Sequence, residues 1–86
     1  MREKYVPHPL DMPLCSVPVG RTVVISTIRA GQTLSARLAA MGLLPGVPFR
    51  VCRYGFGGPV MVAVKGNRLM LGQGMAQRLW VREAAV

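Results

Sequence analysis

Carboxylates, imidazoles and thiols are the groups that do acid–base or covalent chemistry, and this 86-residue chain holds few of them. The acids are Glu3, Asp11 and Glu83, and the one imidazole is His8. None falls between residues 12 and 82, so general acid–base catalysis has no agent in the body of the chain. A Ser or Cys nucleophile would have to recruit its base from the proline-rich start. Cys15 and Cys52 form neither a CxxC motif nor a disulfide framework, and read as two reduced, mostly buried thiols. A metal site would have to be assembled from His8, Asp11 and Cys15, a mixed set that zinc accepts but whose spacing matches no ligand pattern. Gly55-Phe56-Gly57-Gly58 and Gly72-Gln73-Gly74 lack the lysine and hydroxyl of a phosphate loop, and read as turns. We therefore expect no catalytic residue, no metal and no cofactor. What remains is binding.

Charge bounds the partners. Eleven Lys plus Arg against three Asp plus Glu give a net charge of +8. Such a field attracts nucleic acid, anionic lipid or an acidic protein surface. The cations are scattered along the chain with no dense run, a distribution that also suits an ordinary solvated surface. No apolar run reaches the ~18 residues of a membrane span, and MREKYVPHPL has no apolar core of a signal peptide. The expected place is the cytoplasm.

Any binding group must be positioned by short strands and one helix. Residues 1–12 read as an extended arm, because Pro7, Pro9 and Pro13 oppose helix, and residues 13–86 as one domain. Apolar alternation predicts strands over Thr22–Ile28, Pro48–Tyr54, Val60–Val64, Arg68–Leu71 and Leu79–Arg82. Val60, Val62, Val64, Leu69 and Leu71 are expected inward, and Gly66-Asn67 should make a type II′ hairpin turn. Between the first two strands, Leu34, Leu38 and Met41 recur at i, i+4 and i+7, the mark of a helix with one apolar face. Thr33 is the expected N-cap. Gly42 suits the left-handed C′ position, pairing Leu43 with Leu38 in a Schellman ending. Pro45-Gly46 has the fixed φ and the positive φ of a type II turn. Five short strands and one helix predict a small, partly open SH3-like barrel, all-β in class.

The helix-to-turn segment, with its Gly42-Leu43 and Pro45-Gly46, resembles the FeoA family of ferrous-iron transport proteins. Pro13-Leu14 with Pro18-Val19-Gly20 is similar to that family's entry strand, and Gly57-Gly58-Pro59 to its Gly-x-Pro turn. Gly66, Leu69 and Leu71 resemble its hairpin, and Ala76, Leu79 and Val81 its closing strand. The likeness runs over roughly residues 13 to 82. One departure is Gly72, where the family pattern usually has a basic residue. The resemblance implies the same SH3-like architecture. It also implies a cytosolic accessory or regulator of ferrous-iron uptake that docks to FeoB, a membrane transporter with a GTP-binding domain, and so lies at the inner membrane only through its partner.

The docking residues expected are of three kinds. Leu44 and Pro45 sit at the tip of a turn that normally faces solvent, whereas Leu38 and Leu43 are claimed by the helix cap. Met61, Met70 and Trp80, with Ala63, fall on outward strand positions where polar residues belong, flanked by Tyr54 and Phe56. Arg53, Arg68 and Arg82 ring them. Trp, Tyr and Arg are favoured interface anchors, and Met adapts to irregular surfaces. Such a face could be covered by Tyr5 and Val6 of the arm, by a partner, or by a second copy of the chain. Arg53-Tyr54-Gly55-Phe56 also carries a fragment of the aromatic and basic interleaving that single-stranded nucleic acid needs. Salt separates these readings, since phosphate-driven binding falls steeply as salt rises.

Overall fold

In the computed structural model, which describes residues 10–28 and 31–84, every buried apolar side chain belongs to one core. The strands are β1 (Met12–Pro13), β2 (Thr22–Ile28), β3 (Phe49–Tyr54), β4 (Val60–Val64), β5 (Asn67–Leu71) and β6 (Leu79–Glu83). A 3₁₀ turn spans Leu14–Ser16, helix α1 spans Gly31–Ala40, and the single-turn α2 spans Gln73–Ala76. All pairings are antiparallel, in the order β1-β6-β2-β3-β4-β5. The sheet curls without closing, which gives the small, mostly-β, SH3-like fold that the alternation predicts. β1 is an additional strand. It pairs Met12 with Val81 and Pro13 with Trp80.

Alternation explains which side chains are inside. Val60, Val62 and Val64 of β4, Phe49 and Val51 of β3, and Leu79 and Val81 of β6 all face the core. Leu71 is fully buried, but Leu69 is only half-buried. On an edge strand one flank has no neighbour to cover it, and β5 is such a strand.

Helix α1 caps this core with Leu34 and Leu38, and Met41 packs against it from the side. The helix starts at Gly31, so Thr33 lies within its first turn and is not the N-cap. The other end follows the expected chemistry. Gly42 has φ +91°, Leu43 N–H donates to Leu38 C=O at 2.8 Å, and Gly42 N–H to Ala39 C=O at 2.9 Å. These are the two bonds of a Schellman ending, and they seat Leu43 in the core. Val47 N–H then donates to Leu44 C=O at 3.1 Å, with φ +86° at Gly46, which closes the type II turn.

The β4–β5 hairpin differs from the expectation. Val64 pairs with Asn67, so its two turn residues are Lys65 and Gly66, not Gly66-Asn67. Both have positive φ, +49° and +82°, as a type I′ turn requires. The register is set by burying Val62 and Val64, and Lys65 accepts the left-handed backbone as a consequence.

Candidate functional site

Two β-bulges decide which residues share a surface. In β3 the register shifts between Val51 and Arg53, so Cys52 is the extra residue. A regular strand would put Arg50 and Arg53, three apart, on opposite faces. The bulge puts them on the same one, outside the sheet, and turns Tyr54 toward the core side opposite Val60. In β2 the shift falls at Ser26, whose hydroxyl donates to the Trp80 carbonyl at 3.1 Å. Bulges re-aim side chains in this way.

The outer face of β3, β4 and β5 then carries two cross-strand rows. Arg50, Ala63 and Arg68 form one, because both arginines pair with Ala63. Arg53, Met61 and Met70 form the other. Val19 and Gly20 supply a wall. Gly20 N–H donates to Val51 C=O at 2.8 Å and Val51 N–H to Arg21 C=O at 3.0 Å, which lays this segment beside β3. The result is an open groove of about 550 Å³ lined by Arg50, Arg53 and Arg68 over Met61.

The nearby carboxylates are already engaged. Asp11, with its side chain only 3% exposed, accepts from Arg82 Nε at 2.9 Å. Glu83 accepts from Arg21 at 2.7 Å on the surface. Among the described residues no carboxylate forms a salt bridge with Arg50, Arg53 or Arg68. Arg82 therefore clamps β6 to the segment entering β1, away from the groove.

The other expected contact residues fall elsewhere. Trp80, on β6, is half-buried and separated from the groove by β2; its strand neighbours are Pro13 and Thr27. Phe56 is fully exposed in the β3–β4 loop, which is closed by Gly55 N–H to Pro59 C=O at 2.9 Å. Leu44, 42% exposed, and Pro45 occupy the turn before β3, so they and Phe56 flank opposite ends of that strand. Met70, 53% exposed, adjoins Met61 on the groove's rim.

Tyr54, 36% exposed, also ties two parts of the fold together. Its hydroxyl lies between the carbonyl oxygens of Val17 and Leu14, the latter at 3.1 Å, and fastens the 3₁₀ turn to the end of β3. Burial, and next the charge of neighbouring Cys15, pushes the phenol above its ordinary pKa. Both cysteines are free thiols but neither is buried as expected: Cys15 is exposed, because the 3₁₀ turn buries Leu14 instead, and Cys52 is half-buried at the bulge of β3. Of the mixed ligand set, Asp11 is spoken for by Arg82, and His8 lies outside the described residues, as do Tyr5 and Val6 of the arm. Among the described residues no helix is long and apolar enough to cross a membrane.

Arg50 is the groove residue that alternation and spacing did not single out. Its signal was present in its outward position on β3, but the bulge that brings Arg53 beside it has no sequence mark.

Comparison with known proteins identifies a family by sequence and a wider set of proteins that share the fold. The FeoA domain family model matches residues 12–83. A Methanocaldococcus jannaschii protein that carries the name Fe(2+) transport protein A is 33% identical over 72 residues, covering 84% of this chain and 87% of its own. The crystal structure of an iron uptake regulatory protein, FeoA, superposes with a TM-score of 0.75 at 32% identity, covering 85% of this chain and 96% of that one. A manganese-dependent transcriptional repressor bound to manganese is similar at a TM-score of 0.79 and 27% identity, with 92% of this chain matched to 39% of the repressor.

Proposed function

The chain belongs to the FeoA domain family, and from that premise we propose that it is a cytosolic accessory of ferrous-iron uptake that acts by docking to the GTP-binding domain of FeoB. The observation that carries this is Phe56. Its phenyl ring is fully exposed on a short loop held by backbone hydrogen bonds, where an isolated globular protein gains nothing from it. Apolar side chains presented in this way suit a partner's pocket. Leu44 and Pro45 at the type II turn, and Met70 beside the groove, add apolar surface at other points.

The work expected of this protein is done by contact and not by catalysis. The carboxylates among the described residues serve ion pairs, and their chemistry is used up in holding β6 and its neighbours. Placement at the membrane would follow from the transporter, with the accessory bound to its cytosolic face. Its role is then to bias transport or nucleotide turnover through the docked state.

Capture of a purified FeoB GTP-binding domain by the immobilised chain tests this. Wild type should retain the domain, and Phe56→Ala should weaken retention by about tenfold, the scale of an interface hot spot. Leu44→Asp separates the turn tip from the loop. Absence of capture by wild type would overturn the partner. Undiminished capture by both variants would overturn the surface.

A further inference from the structure

We propose that the groove on the outer face of β3, β4 and β5 binds an extended acidic peptide segment, with Arg50 and Arg68 as a carboxylate clamp across Ala63. This rests on the docking reading above and adds the chemistry of what is docked.

The first support is the spacing. Arg50 and Arg68 both pair with Ala63, so their backbones stand two strand spacings apart, about 10 Å. A methyl group between them leaves the space above Ala63 open, and two long side chains can close on one carboxylate from either side. Guanidinium groups suit this because they bind carboxylates in fork geometry. Arg53, brought to the same face by the Cys52 bulge, offers a third contact one row along.

The second support is charge. Three arginines share a groove in a chain of net charge +8, and none of them has a salt-bridge partner among the described residues. Like charges held this close repel each other, and an anionic ligand relieves that repulsion. The groove is complementary to negative charge before any partner arrives.

The third support is that the site has apolar and backbone features of a peptide receptor. Met61 floors it and Val19 walls it, giving an apolar contact between the cations. Alongside lies β5, an edge strand with no neighbour on its outer side among the described residues. An extended segment pairing there would place alternate side chains beside Arg68 and Met70. Single-stranded nucleic acid fits less well. It needs aromatic rings to stack on, and among the described residues no aromatic lines the groove: the Tyr54 hydroxyl is tied to Leu14 and Val17, while Phe56 stands in the β3–β4 loop.

Fluorescence anisotropy with the full chain tests the assignment. The probe is a fluorescein-labelled eight-residue peptide of alternating Glu and Val. The controls are its Gln-for-Glu counterpart and a labelled oligothymidine of equal charge. The acidic peptide should bind, and the Gln peptide should bind at least about tenfold more weakly, as expected for charge-assisted contacts. Arg50→Gln/Arg68→Gln should weaken the acidic peptide by a similar factor. Arg37→Gln/Arg78→Gln, which removes equal charge beyond the groove, should leave affinity within about twofold. Arg50→Glu/Arg68→Glu should in turn gain affinity for a Lys-and-Val peptide.

Equal losses in the two Gln doubles would reduce the effect to net charge and overturn the site. Tighter binding of oligothymidine than of the acidic peptide would overturn it in favour of nucleic acid. Capture of the FeoB domain with no peptide binding sinks this inference and leaves the docking reading standing. Peptide binding without capture does the reverse.

Discussion

At the scale of single residues, Tyr54 shows how one side chain changes role with one shift in register. Counted from Arg50, strict alternation puts Tyr54 on the outer face with Met61. The bulge at Cys52 turns it to the side of the sheet that Val60 faces, where it stays partly exposed and its hydroxyl holds the Leu14 and Val17 carbonyls. Tyr54→Phe should lower stability by about 1 kcal/mol, the net worth of one hydrogen bond, as measured by urea unfolding. The pH dependence gives a second check. The native phenol has a raised pKa because burial and the Cys15 charge disfavour the phenolate. The protonated form is thus stabilised by folding. Its contribution is complete below the ordinary phenol value of about 10 and is lost as pH climbs through the raised native value. Wild type should lose stability through that alkaline window, and Tyr54→Phe should lose less over the same window. Parallel alkaline losses in the two proteins would remove the phenol from this role.

At the scale of elements, sequence legibility depends on how local the rule is. Everything from Leu38 to Val47 can be read, because the Schellman bonds and the type II turn are set by Gly42, Pro45 and Gly46 within a few residues. The inward faces of β3, β4 and β6 can be read from alternation. The two bulges cannot, since they arise where twisted neighbouring strands meet, and with them goes the grouping of Arg50 with Arg53. The β4–β5 turn falls one residue earlier than its composition suggests, for a related reason. Gly66-Asn67 looks like the better turn, but burying Val62 and Val64 fixes the register and leaves Lys65 at φ +49°. Asn tolerates that backbone better than Lys, and Asn-Gly is the preferred type I′ pair. Lys65→Asn should therefore raise the melting temperature by roughly 2–4 °C, from about 0.5 kcal/mol. A lower melting temperature would mean that the turn is not limited by Lys65.

At the scale of the whole molecule, packing leaves most of the positive charge uncompensated. Among the described residues two ion pairs are made, at the β1–β6–β2 side, Asp11 with Arg82 and Glu83 with Arg21. The net +8 is undiminished by these neutral pairs, is spread over a small body and repels itself. Raising NaCl from about 20 to about 200 mM shortens the Debye length from about 20 Å to below 10 Å and should raise the melting temperature, because relief of repulsion outweighs weakening of two ion pairs. A fall with salt would show that those two pairs contribute more than the repulsion costs.

The strand order has a consequence for where the chain enters and leaves the sheet. The first and last strands, β1 and β6, are neighbours at one margin of the sheet, and β5 forms the other. The described chain thus enters on β1 and leaves on β6, side by side, and β2 stands between that pair and the three strands that carry the arginine groove.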